Sequence, residues 1–137
     1  MDSKTVYFDL ETGGVLMTHP ITQIAAIAIN DATGLEEEAF EVKVQFKVEE
    51  CDPEALAVNH FDPAVWAEQA VPEQGALRAF GEFMKRHATL QRFSKTKFYP
   101  GTKKPKEYYI AKLAGHNAAN FDAPRIQAAF KTYGMFF

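Results

Sequence analysis

Residues Phe8-Asp9-Leu10-Glu11-Thr12-Gly13-Gly14 close an alternating stretch that begins at Lys4. A strand of period two sends Val6, Phe8 and Leu10 to one face and Tyr7, Asp9 and Glu11 to the other. Two carboxylates therefore leave the same face, and Gly13-Gly14 ends the strand in a turn. Acids two apart on a strand repel, which raises the cost of keeping both ionised. A divalent cation removes that cost, and hard oxygen donors suit Mg²⁺ or Mn²⁺. The glycines allow a backbone or a phosphate to come close. On its own, such a pair reads first as the solvated end of a strand.

The same periodicity extends outward. Ile21 to Asn30 is apolar on both faces and reads as a central strand; Asp31-Ala32-Thr33-Gly34 supplies a turn. From Phe40 to Val48, apolar residues alternate with Glu41, Lys43, Gln45 and Lys47, the pattern of a half-buried strand. Three strands with short connections make an antiparallel meander. Asp52-Pro53 and Asp62-Pro63 each read as an N-cap followed by proline at the first helical position, and the second helix carries Val65 and Trp66. Pro72 opens a longer helix with Leu77, Phe80, Met84 and His87 at helical spacing.

Ala88 to Glu107 shows no clear period and is broken by Pro100-Gly101 and Pro105, so it reads as a basic loop. Tyr108 to Leu113 is expected to form a fourth strand, with His116 to Phe121 as its exit turn. Ala123 to Tyr133 reads as a helix with Ile126, Phe130 and Tyr133 inward, capped by Gly134. The order βββ-ααα-β-α predicts an α/β domain spanning 1–137, a mixed sheet with helices packed on it. Met135-Phe136-Phe137 reads as the approach to another strand, so the domain is expected to be incomplete at its C-terminus.

A chain of 137 residues suits one domain, and its 47% apolar and 24% charged content is that of a water-soluble protein. No apolar run approaches the roughly 18 residues of a membrane span, and the N-terminus is not a signal peptide. The lone Cys51 rules out an internal disulfide and a zinc cluster, which suggests a reducing cytoplasm. The net charge of −3 conceals an asymmetry: six basic residues and no acid lie between Thr89 and Lys106. Such a segment can steer a polyanion.

The second informative stretch is His116-Asn117-Ala118-Ala119-Asn120-Phe121-Asp122. Asp122 stands just before Ala123-Pro124 and reads as a cap for the last helix, a role compatible with facing a metal site. His116-Asn117, taken alone, reads as a hydrogen-bonded turn.

Together the two stretches carry more. Phe8-Asp9-Leu10-Glu11-Thr12-Gly13-Gly14 resembles the first motif of the DEDD-type 3′→5′ exonucleases, the proofreading-exonuclease family with a ribonuclease H-like fold. His116 to Asp122 resembles that family's second motif, and the order and spacing of the intervening elements agree over nearly the whole chain. The resemblance implies two-metal hydrolysis of phosphodiester bonds at the 3′ ends of single-stranded DNA or RNA, with two Mg²⁺ or Mn²⁺ ions in the complete site. It implies that Asp9 bridges both metals, Glu11 binds the metal that activates the attacking water, and Asp122 holds the second metal. Thr12 and Gly13 would position the terminal nucleotide through their backbones, and Asn117 would hydrogen-bond near it.

The family's third motif, a His or Tyr followed shortly by a fourth Asp, has no counterpart. Fifteen residues follow Asp122 and none is His, Asp or Glu. Loss of a general base typically removes about 10²–10⁴ in rate, so the chain by itself is expected to be severely impaired. A fragment, a site completed by a second chain or a missing C-terminal segment, and a catalytically inactive nucleic-acid-binding or interaction module all satisfy this pattern. In the basic loop, cations interleave with Phe93, Phe98 and Tyr99, a mixture suited to phosphate contacts and base stacking. Lys103 and Lys104 are its candidate nucleic-acid contacts.

Overall fold

The computed structural model describes residues 2–115 and 118–135. Its main sheet has four strands in the order β3-β2-β1-β6, with β1 (Lys4–Thr12), β2 (Ile21–Asn30) and β3 (Glu36–Lys43) antiparallel. β6 (Lys112–Ala114) lies parallel to the start of β1, pairing with Thr5 to Tyr7. The expected mixed sheet, with three antiparallel N-terminal strands, is therefore present.

Register explains the core. Phe8 and Phe40 both lie opposite Ala26, whose methyl group leaves a trough between the two rings. Phe80, from α3 (Glu73–Arg86), fills that trough, with its ring centroid 6.0 Å from Phe8 and 5.8 Å from Phe40. Leu77 and Phe83 of the same helix, and Ile126 and Phe130 of α4 (Ala123–Thr132), complete the layer against Val6, Leu10 and Ile24. The opposite sheet face carries Tyr7 and Ile27, which are 48% and 41% exposed.

The caps at Asp52 and Asp62 form as expected. Each carboxylate accepts from the amide two residues on, at 3.0 Å, and opens α1 (Pro53–Val58) and α2 (Pro63–Gln69). Gly134 adopts φ 65°, and the Gly134 and Met135 amides donate to the Lys131 and Phe130 carbonyls, closing α4 in a Schellman motif. Tyr133, expected inward, is the exposed C-cap residue.

Two boundaries differ from expectation. β3 begins at Glu36 rather than Phe40 because its acids have partners: Lys4 for Glu37, and Arg86 together with the His87 ring for Glu38. It ends at Lys43; Val44 bridges to Val71, and Phe46 leaves the sheet to pack edge-on against Phe61. The segment read as a basic loop contains a second, two-stranded sheet, β4 (Leu90–Phe98) with β5 (Pro105–Ile110). Pro100-Gly101 lies in the connection, with Gly101 at φ 72°. The fourth strand of the main sheet is accordingly shorter and later than Tyr108 to Leu113.

No helix among the described residues is long and apolar enough to cross a membrane. Because Phe80 is fully buried between two rings, Phe80→Ala should destabilise the fold by about 3–5 kcal/mol. Urea denaturation measures this, and a cost below about 1 kcal/mol would contradict the packing described.

Candidate functional site

The alternation that buries Phe8 and Leu10 turns Asp9 outward and leaves Glu11 half-buried. Asp9 pairs across the sheet with Ala25 and Glu11 with Gln23, neither of which supplies a compensating charge. A register shift follows between Glu11 and Thr12.

Asp122 reaches this strand from 112 residues away. β6 stops at Ala114, opposite Tyr7, so among the described residues the β1 edge beyond that point has no neighbouring strand. The Leu10 amide on that edge donates instead to Asp122 Oδ2 at 3.4 Å. A π-helical turn, Ala118–Asp122, runs directly into α4, so Asp122 already has helical φ and ψ and makes no side-chain capping bond. The expectation that it caps α4 is thus corrected. Its carboxylate, only 3% exposed, lies against β1.

The electrostatics reflect that gathering. Burial pushes the Glu11 carboxyl above its ordinary value of 4.5, and the charges of Asp9 and Asp122 raise it further. All three acids therefore belong to one interacting group. In donor type they suit a hard divalent cation, whose charge would offset their repulsion. Among the described residues, however, no three His, Cys, Asp or Glu side chains converge closely enough to hold an ion. The acids share a neighbourhood without forming a closed coordination shell.

The turn after β1 uses its glycines differently from expectation. A Cβ on Gly13 would strike the Cys51 side chain, and one on Gly14 the His19 ring, so the protein itself fills the space reserved for an approaching phosphate. The Gly13 amide donates to Pro20 and its carbonyl accepts from Asp52. The Thr12 hydroxyl donates to the Gly14 carbonyl at 2.7 Å, and the Thr12 carbonyl accepts from Asn59 Nδ2 at 2.9 Å. A nucleotide contact through these backbone groups would have to share them with those bonds.

Arg125 gives no sign of a special role in the sequence, since an arginine in a helix reads as solvated. It is buried, with its guanidinium 3.6 Å from the Phe121 ring centroid. It donates to the carbonyls of Phe121 and Val15, tying the turn that bears Asp122 to the loop after Gly14. Between that loop, α1 and Phe121 lies a cleft lined by Glu11, Thr12 and Asn59. A second groove runs over Asp9, Ala25 and Ile27. His116 and Asn117 lie outside the described residues. Lys103 and Lys104 sit in the β4–β5 connection, with Lys104 Nζ 5.5 Å from the Tyr99 ring centroid.

No family model and no curated protein matches the chain by sequence. Solved structures share its fold. An exonuclease I structure, described as suggesting how processivity is achieved, superposes with a TM-score of 0.71 at 15% identity, covering 97% of this chain and 25% of its own. Escherichia coli exonuclease I in complex with a dA16 oligonucleotide gives 0.67 at 15% identity, over 94% of this chain and 24% of that one. A moderately thermophilic exonuclease I from Methylocaldum szegediense gives 0.68 at 16% identity, over 93% and 23%. The chain spans about a quarter of the length of these enzymes. It has the fold of their corresponding portion.

The raised Glu11 carboxyl carries a pH consequence. A folded-state pKa above the unfolded one means that ionised Glu11 costs stability at neutral pH, and that the cost vanishes once pH falls below about 4.5 and the group is protonated in both states. Glu11→Gln should therefore raise the melting temperature at pH 7, with the gain shrinking toward pH 4. Thermal denaturation across that range checks this, and a gain independent of pH would refute the electrostatic coupling.

Proposed function

We propose that the chain is a portion of a metal-dependent 3′→5′ exonuclease, acting on single-stranded DNA or RNA ends in the cytoplasm. The observation that carries this reading is Asp122 lying against β1 beside Asp9 and Glu11, from the far end of the sequence. Likeness in fold to exonuclease I supports it. Asp9, Glu11 and Asp122 would hold the Mg²⁺ or Mn²⁺, two ions in the complete site, supplying a nucleophile at neutral pH and stabilising charge on the attacking and leaving oxygens. Asp9 would serve both ions, Glu11 the one that activates water, and Asp122 the other.

The chain's own contribution is placement. β1 fixes the spacing of Asp9 and Glu11, and Arg125 holds the turn that sets Asp122. Thr12, Gly13 and Asn117 border the terminal nucleotide, and Lys103 and Lys104 attract its upstream phosphates. The general base and fourth carboxylate are supplied by polypeptide outside 1–137, either a C-terminal segment or a second chain. Their arrival would also close the three acids into a coordination shell.

The absence of a converged acid cluster among the described residues favours a second reading, in which this chain binds nucleic acid without cutting it. An assay with 3′-labelled single strands and Mn²⁺ separates the two. On the nuclease reading the chain retains slow hydrolysis, about 10²–10⁴ below a form carrying a His or Tyr base and fourth Asp. Asp9→Asn should abolish even that residue. Undetectable hydrolysis in both forms would leave the binding module.

A further inference from the structure

The β4–β5 hairpin is built unlike the rest of the molecule. It carries Arg92, Lys95, Lys97, Lys103, Lys104 and Lys106, six of the fifteen Lys and Arg residues in the chain. Among the described residues none of these six makes an ion pair; the pairs present engage Lys4, Lys43, Arg86, His87 and Lys112. Phe93, Phe98, Tyr108 and Tyr109 on the same hairpin are all roughly half exposed. A two-stranded ribbon is marginal on its own, and clustering like charges and exposed rings on it does nothing for its stability.

The strand pairing shows where these groups converge. Phe93 lies opposite Glu107 and Phe98 opposite Pro105, so Ser94 to Lys97 bulge outward against Lys106 alone. Ser94 Oγ accepts from the Thr96 and Lys97 amides, at 3.2 and 2.9 Å, and holds the bulge in shape. The result is a cleft walled by Phe93, Lys95, Lys97, Lys106 and Tyr108. The one acid on its wall, Glu107, also acts on the neighbouring Tyr99 hydroxyl, whose pKa it raises.

We propose that this bulged cleft is a second nucleic-acid site, in which Phe93 and Tyr108 stack bases of a single strand while Lys95, Lys97 and Lys106 contact its phosphates. The proposal rests on the nuclease-fold reading for its choice of partner, and it moves the principal contact from the turn lysines 103 and 104 into the cleft. The hairpin springs from the opposite end of β1 to the acids: Thr89, before β4, bonds to the Lys4 backbone, and β6, after β5, starts opposite Thr5. Strand geometry separates that base from Asp9 and Glu11 by about 20 Å. The hairpin is therefore rooted away from the acids, and its cleft would grip the strand as an exosite.

The test is fluorescence anisotropy with a labelled oligothymidylate in EDTA, so that no metal site contributes. Lys95→Glu/Lys97→Glu/Lys106→Glu should weaken binding about tenfold or more and reduce the slope of log affinity against log salt by about two. Phe93→Ala/Tyr108→Ala should weaken binding about tenfold and leave the slope unchanged. Lys103→Glu/Lys104→Glu should cost less than the cleft triple variant. All these side chains are exposed, and unchanged melting temperatures confirm intact folding. Binding unaffected by the cleft variants overturns the proposal. So does polyglutamate competing as well as DNA, with no effect of Phe93→Ala/Tyr108→Ala, because the cleft would then be a plain polyanion surface. Asp9→Asn should bind normally here, so loss of hydrolysis and loss of strand binding report on separate readings.

Discussion

A strand can place Val6, Phe8 and Leu10 in a core only by turning Asp9 and Glu11 away from it. Here that constraint is enforced by Phe80, which fills the gap between Phe8 and Phe40 left by Ala26. A register slip by one residue would bury both acids and expose the rings, so the aromatic packing fixes the positions of carboxylates it never touches. The pairing of β1 with β2 and the seating of α3 follow from the same contact.

The third acid depends on a different shortage. β6 covers only the first part of β1, and the next backbone donor on that edge, at Leu10, takes the Asp122 carboxylate. Arg125 ties the turn bearing Asp122 to the loop after Gly14 by donating to a carbonyl in each. The consequence is that Asp9, Glu11 and Asp122 share one neighbourhood against their mutual repulsion, which adds to burial in raising the Glu11 carboxyl. A divalent cation is the simplest species to offset that repulsion.

Much of this was legible in residue order, and the failures have physical causes. The meander and the Asp-Pro caps follow from local periodicity and local hydrogen bonding, which sequence displays directly. The start of β3 is not legible because a run of three acids, Glu36 to Glu38, shows no period-two alternation, whereas Lys4, Arg86 and His87 arrive from distant segments to pair with two of them. The hairpin escaped notice because a ribbon standing off the core has no buried face and hence no period-two signal. Asp122 read locally as a cap, and only the π-helical turn before it shows why that duty lapses. Gly13 and Gly14 read as room for a backbone or a phosphate, yet the side chains of Cys51 and His19 occupy that room. Arg125 gave no signal at all, since its partners are backbone carbonyls.

The central claim, that Asp9, Glu11 and Asp122 act together as a divalent-cation site, is tested most directly by calorimetric titration of Mn²⁺ into the chain and into Asp9→Asn and Asp122→Asn. Saturable binding to the native chain, weakened by either substitution alone, is the predicted result. No binding, or binding indifferent to both substitutions, would contradict it.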